Sequence, residues 1–301
     1  MLDYLTTSSV ATRNTSDLAY ENFKIGATFN IVFFLASLFL VFVTWDGILH
    51  QNILQLISVY VLHIGLTIYS ITQIFQTYED LNDLDVNYKD SPQVRNGDLY
   101  LTAQVMVPIV IVIFQPVFIY LTIKCYREFA WRRYRITGGS KILEKVFINY
   151  NILLLLIKYT LFFGFGLQIF YLAYPKTGVE GMWALVIFSM VFNVFNGIVG
   201  FFSIRKESKP LAVAFIIGCT ALLVVSVTEI YLVYSLEGKT FDRVQTPLIF
   251  SAVLGWALLA SSVVFGILCV RNFGKGLRDV LDMESRWRKG LYRSPTIDLD
   301  A

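Results

Sequence analysis

Lys158 is the residue of this chain whose position most needs a chemical explanation. It lies near the middle of an apolar stretch, Asn149 to Phe170, that reads NYNILLLLIKYTLFFGFGLQIF. A lysine in the middle of a membrane costs about 3 kcal/mol on insertion scales. Its side chain cannot reach water from ~18 Å inside a helix. The position therefore predicts a hydrogen-bond acceptor, a water-filled cavity or loss of the charge.

Glu229 is the acidic residue that the sequence offers as a partner for Lys158 within another apolar stretch. Counted from the predicted ends of their helices, the two residues differ in depth by roughly six positions, or ~9 Å. The first hypothesis is a Lys158–Glu229 contact, either direct or through a bridging water. Two alternatives stay open: an Asn or Gln on a neighbouring helix accepts from Lys158, or Glu229 reaches the lumenal interface instead.

Four more polar residues complete a candidate intramembrane polar site: His63, Asn151, Gln115 and Asn193. Asn151 is seven positions before Lys158 and so shares its helical face. One interpretation is helix packing, in which such side chains form hydrogen bonds between helices. The other is a cavity that binds a small ligand or passes a proton, with His63 as the group that takes up the proton.

Motifs of membrane enzymes are absent from the sequence. It contains no HExxH, no GxSxG, no P-loop and no DxxD-type acidic pair within a span. We therefore expect no enzymatic activity, no catalytic residues, no metal site and no cofactor. We also expect no nucleic-acid partner, because membrane topology accounts for the positive charge.

Composition places these residues in a membrane protein. Hydrophobic residues make up 56% of the 301, and charged residues only 16%, against roughly 25% in a soluble domain. Seven stretches are long and apolar enough to span a bilayer: about 25–45, 53–75, 100–123, 146–174, 182–204, 211–235 and 247–270. The predicted fold is an all-α, polytopic bundle of seven transmembrane helices, with the lipid bilayer as its surroundings.

Lysine and arginine predict the orientation of this bundle, because they are enriched in cytoplasmic connections. Seven lie in 124–145, three in 205–209 and seven after position 270, whereas the other side carries seven in total. The segment 1–24 is then a lumenal tail, 25–270 the membrane domain and 271–301 a cytoplasmic basic tail. The sequon at Asn14 lies on the lumenal side, where it can be glycosylated. The tail sequence RWRKGLYR is expected to contact anionic lipid.

Several blocks of the chain resemble a family of uncharacterised fungal multi-spanning Golgi apparatus membrane proteins. They are DGILHQNILQLI (46–57), YSITQIFQ (69–76), EKVFINYNILLLLIKYTLFFGFGLQ (144–168) and SIRKESK (203–209). The resemblance implies a seven-span fold in the Golgi membrane. It implies no activity and no site residues, because the family has none assigned.

The main functional prediction is a non-enzymatic, multi-pass protein of the Golgi or another endomembrane. Two alternatives stay open. One is a receptor-like seven-helix protein, whose topology matches although the third span ends in KCYREF and the last lacks an Asn-Pro-x-x-Tyr run. The other is a proton-coupled or small-molecule transporter that uses a polar intramembrane cavity.

Overall fold

The computed structural model describes residues 28, 30–87, 97–173, 182–235 and 242–288. Every element in these ranges is an α-helix. The helices are α1 (Asn30–Leu49), α2 (Ile53–Asn87), α3 (Gly97–Thr137), α4 (Lys141–Ala173), α5 (Met182–Arg205), α6 (Lys209–Ser235), α7 (Asp242–Asn272) and α8 (Leu277–Arg288).

Seven of these helices, α1 to α7, carry segments long and apolar enough to cross a membrane, which confirms the predicted fold. The helices run beyond the apolar segments. Most of 124–145, predicted as a connection, is helical, because α3 continues to Thr137 and α4 begins at Lys141. Charged side chains such as Lys, Arg and Glu favour helix in water, so the helix does not stop where the apolar segment does. Gly138 and Gly139, with φ of 58° and 74°, separate α3 from α4.

Contacts divide the chain into two compact units. The first comprises Met1–Cys125 and Ile169–Pro175, and the second comprises Tyr126–Gln168 and Lys176–Ala301. In the first unit, Gln55 joins α1 to α2. Its Nε2 donates to the Val43 carbonyl at 2.8 Å and to Asp46 Oδ2 at 2.9 Å, and the side chain is 2% exposed. This buried amide fixes the packing of α2 against α1.

A stripe of polar residues on α2 makes hydrogen bonds to neighbouring helices of the first unit. Gln115 Nε2 donates to Thr67 Oγ1 at 3.2 Å, and Gln73 Nε2 donates to Asn30 Oδ1 at 2.9 Å. Further along, Thr77 Oγ1 donates to the side-chain oxygen of Gln104 at 3.0 Å. Hydrogen bonds of this kind, between side chains of neighbouring helices, are what the helix-packing interpretation expects.

In the second unit, α5 turns polar residues inward and apolar residues outward. Ser189 and Asn193 are 3% and 9% exposed, whereas Phe188, Val191 and Phe195 on the opposite face are each more than 60% exposed. A helix in water shows the reverse arrangement. The distribution is therefore that of a bundle whose outer surface faces lipid.

The last helix, α8, packs across one end of the second unit. Leu277 and Val280 are 3% and 2% exposed and belong to the same buried cluster as Val146 and Phe147 at the start of α4. The backbone N–H of Gly274 donates to Glu207 Oε2 at 3.4 Å. The start of α4, the turn at 205–208 and the tail thus meet at one end, as their shared basic charge predicts. Position 14 lies outside the described residues.

Candidate functional site

Three helices of the second unit meet at the carboxylate of Glu229. This residue, on α6, is 0% exposed. Gln168 Nε2, from α4, donates to Glu229 Oε2 at 3.2 Å and to Oε1 at 3.4 Å. Ser189 Oγ, from α5, lies 3.0 Å from Glu229 Oε1. The carboxylate is therefore buried among neutral hydrogen-bonding groups.

Glycine on α4 allows α5 to approach closely enough to build this site. The amide of Asn193 occupies the space that a Cβ would fill at Gly164. From this position Asn193 Nδ2 donates to the Thr160 carbonyl at 3.3 Å. Gly164 lies one helical turn before Gln168, so the same contact brings Ser189 and Gln168 to the same carboxylate.

A small polar cavity adjoins the carboxylate and has a volume of about 40 Å³. One water needs roughly 10–15 Å³ by this measure, so the cavity has room for about three. Its polar lining consists of Thr160, Gln168, Ser189, Asn193, Ser226 and Glu229. Trp256 of α7 also lines it and donates from Nε1 to Ser226 Oγ at 2.8 Å. Residues from α4, α5, α6 and α7 therefore contribute to one cavity.

The structure brings two of the six predicted site residues to this cavity, Glu229 and Asn193. His63 lines a different space in the first unit, a mainly apolar groove of about 650 Å³, where its ring lies 4.8 Å from that of Phe118. Gln115 lies in the first unit as the hydrogen-bond partner of Thr67. Lys158 and Asn151 are half-buried on α4 and do not line the Glu229 cavity.

Gln168, not Lys158, is the α4 residue at the depth of Glu229. Ten positions separate it from Lys158, which is ~15 Å along a helix. A direct Lys158–Glu229 pair is therefore wrong, and the hydrogen-bond partners of Glu229 in the described chain are Gln168 and Ser189.

The reason for this error is the register of α4 against α6. Ile157 and Phe215 would both contact a Cβ added at Gly200, so they lie at one depth. Ile157 is sixteen positions after the start of α4 at Lys141, whereas Phe215 is only six after the start of α6 at Lys209. Helix α4 therefore begins about ten residues, or ~15 Å, before α6. Depths counted from the two helix starts cannot be compared.

Sequence reasoning missed Gln168 and Ser189 as site residues. Gln168 is two positions before the end of the apolar stretch that contains Lys158, and Ser189 is four positions before Asn193 on α5. The available signal was helical spacing, since residues four apart share a face and Asn193 was already a candidate. Gln168 had no such signal, because only the register of α4 against α6 brings it to Glu229.

Seven apolar helices with polar groups turned inward define this chain as a multi-pass membrane protein. No protein-family model and no solved structure matches it. The chain is similar to a UPF0658 Golgi apparatus membrane protein of Schizosaccharomyces pombe, with 21% identity over 286 residues. The match covers 87% of this chain and 79% of the relative.

This relative confirms the resemblance to an uncharacterised fungal family of Golgi membrane proteins. Together with the seven apolar helices, it also agrees with the predicted localisation, a multi-pass protein of the Golgi apparatus or another endomembrane.

Proposed function

We propose that this chain is a non-enzymatic Golgi membrane protein that acts as a proton-coupled carrier through Glu229. The observation that carries the proposal is the position of the Ser189 hydroxyl. Its oxygen lies 3.0 Å from Glu229 Oε1 and 2.9 Å from the Val186 carbonyl. A hydroxyl has one hydrogen to donate, so it can satisfy only one of these acceptors at a time.

The two arrangements of this hydrogen match the two protonation states of Glu229. When the carboxylate is ionised, Ser189 donates to it. When Oε1 carries a proton, that O–H donates to Ser189 Oγ, and the Ser189 hydrogen turns to the Val186 carbonyl. Both states keep their hydrogen bonds without moving a heavy atom, so the proton can be taken up and released inside the bundle.

No other charged residue lines this cavity in the described part of the chain. The groups that face Glu229 are Gln168 from α4, Ser189 and Asn193 from α5, and Trp256 from α7. All are neutral, so proton exchange at the site is assigned to Glu229 alone. An ionisable residue inside a membrane is a typical component of proton pathways in transporters.

The size of the cavity favours a proton or a small ion over an organic ligand. Pockets for small molecules have volumes of roughly 300–1,000 Å³, whereas this cavity has about 40 Å³. The receptor-like alternative needs a ligand pocket. The Glu229 cavity does not provide one, so that alternative would have to use the groove of about 650 Å³ beside His63 in the first unit.

The experiment is proton flux in vesicles that contain the purified full chain and a trapped pH-sensitive dye. Wild type should dissipate an imposed pH gradient, and Glu229→Gln should lower the rate at least tenfold. Ser189→Ala should also lower it, whereas Ser203→Ala is the matched control. Ser203 is an equally buried serine of α5 that donates to its own helix and does not line the cavity. Equal flux in Glu229→Gln and wild type, or none above empty vesicles, refutes the proposal.

A second part of the proposal concerns the tail, whose RWRKGLYR segment we assign to contact with anionic lipid. The α8 helix packs at the end of the bundle where the basic segments meet, and Arg278 on its outer side is exposed. Basic residues near a membrane surface gain about 1 kcal/mol each from anionic lipid. Replacing the basic residues of 286–293 by glutamine should reduce the contact. Cross-linking to a photoreactive anionic lipid measures it, and unchanged cross-linking contradicts the assignment.

A further inference from the structure

The polar groups around the Glu229 cavity use most of their hydrogen-bond donors within the protein, so they offer mainly acceptor oxygens to the cavity. The Ser226 hydroxyl donates to the Leu223 carbonyl at 2.9 Å, and the Thr160 hydroxyl donates to the Leu156 carbonyl at 2.9 Å. Gln168 uses its amide nitrogen for Glu229. The hydrogens of these groups are therefore directed at protein acceptors, and their oxygen lone pairs are what remains for an occupant of the cavity.

Gln168 Oε1 is the clearest of these acceptors. The side chain is 6% exposed and lines the cavity, and this oxygen has no hydrogen-bond partner among the residues that the structure describes. When Glu229 is ionised, the orientation of the Gln168 amide is fixed, because exchanging its oxygen and nitrogen would place Oε1 against the carboxylate. A buried acceptor without a partner is unfavourable, so its position indicates that something else fills the cavity.

The charge of the carboxylate decides what that occupant is. Within the described ranges, an ionised Glu229 receives hydrogen bonds from Gln168 and Ser189, both neutral. A buried carboxylate without a cation is strongly unfavourable. Acceptor oxygens that surround one negative charge suit a cation of charge +1. Divalent cations such as Ca²⁺ and Mg²⁺ prefer six or more oxygen ligands and are bound through several carboxylates or phosphates, and this cavity has one carboxylate.

We infer that the Glu229 cavity binds one partly hydrated monovalent metal cation, with Na⁺ as the best fit. Glu229 is the charged ligand, and Gln168 Oε1, Asn193 Oδ1 and Thr160 Oγ1 are the neutral oxygens. The volume of about 40 Å³ accommodates an ion with one or two waters. This inference rests on the site of the proposed function. It identifies the ion that the proposed carrier would bind.

The experiment measures binding directly, without transport. The purified full chain in detergent is unfolded thermally while NaCl replaces N-methylglucamine chloride at constant ionic strength. Binding to the folded state raises the unfolding temperature in a saturable way. We expect this rise in wild type and in the matched control Ser203→Ala, and its loss in Glu229→Gln.

A second variant keeps the test decisive if Glu229→Gln does not fold. Gln168→Leu leaves the carboxylate but removes both the unpartnered oxygen and the amide nitrogen that donates to Glu229, and it should raise the dissociation constant for Na⁺ at least fivefold. An absent Na⁺ effect in a folded wild type, or equal Na⁺ affinity in both variants and wild type, shows that water alone fills the cavity and overturns the inference. Na⁺ binding without proton flux would refute only the carrier. Proton flux without Na⁺ binding would refute only the cation site.

Discussion

Gly164 and Gly166 lie two positions apart on α4 in very different surroundings. A Cβ at position 164 would occupy the place of the Asn193 amide. A Cβ at position 166 would meet no atom of the described chain within 4 Å beyond its own stretch of helix backbone and its two chain neighbours. We predict that Gly164→Ala destabilises the folded chain relative to Gly166→Ala. Both changes replace glycine by alanine inside one helix, so the gain in helix propensity cancels in the comparison.

The size of the difference follows from the hydrogen bond that Asn193 must give up. To make room for the methyl group, the amide has to leave its position 3.3 Å from the Thr160 carbonyl. Asn193 is 9% exposed, so only the few waters of the adjoining cavity can replace the lost partner. Leaving a buried polar group unsatisfied costs about 1–3 kcal/mol, and this is the expected difference in the free energy of unfolding.

The assay is unfolding by sodium dodecyl sulfate in mixed micelles, followed by loss of helix signal or of tryptophan fluorescence. Gly166→Ala should unfold at the wild-type detergent fraction or above it, and Gly164→Ala below it. A third variant, Gly164→Ala with Asn193→Ala, removes the clashing amide and should recover part of the loss. If the two single variants have equal free energies of unfolding, α4 and α5 do not pack through Gly164, and the described site geometry is refuted.

The remaining predictions concern the tail and the topology. Val280→Asp places a charge in the buried cluster at the end of the bundle, so α8 should detach and trypsin should cleave at least tenfold faster after Lys275. Replacement of the exposed Arg278 by alanine is the control. Equal cleavage rates in wild type and both variants would contradict the packing of α8. Asn14→Gln should abolish the mobility shift that an endoglycosidase produces in the expressed chain, because the sequon is predicted to be lumenal; absence of any shift in wild type would argue against that orientation.

Hydropathy predicted the seven spans because a bilayer requires about 20 apolar residues wherever a helix crosses it. It did not predict the helix ends, as α3 shows by continuing through its arginine-rich segment to Thr137. It also missed α8, where the signal was present: Leu277, Val280 and Leu281 recur at helical spacing between charged residues. Too few residues are apolar there to register as a span, so a search for membrane segments passes over it.

The candidate site was harder to predict than the fold, because it depends on the axial offset between neighbouring helices. Polar residues in apolar helices are expected to face the bundle interior, and Glu229 and Asn193 are both buried in the structure. Which partner faces Glu229 depends on the axial position at which α4 starts relative to α6. The local sequence of neither helix predicts this offset. Lys158 and Gln168 are both polar residues in the same apolar helix. Their depths relative to Glu229 follow from the packing at Gly200, where an added Cβ would meet both Phe215 of α6 and Ile157 of α4.

The packing of α8 has a consequence for the order in which the protein assembles. A chain made on a ribosome emerges from its N-terminus, so α8 follows all seven spans. The cluster that includes Val146 and Phe147 on α4 lacks Leu277 and Val280 until then, and the turn at Glu207 lacks the N–H of Gly274. A chain that stops after α7 can insert every span and still leave apolar surface uncovered at this end. Quality-control factors that bind such surface would therefore recognise a truncated product even when its transmembrane part is intact.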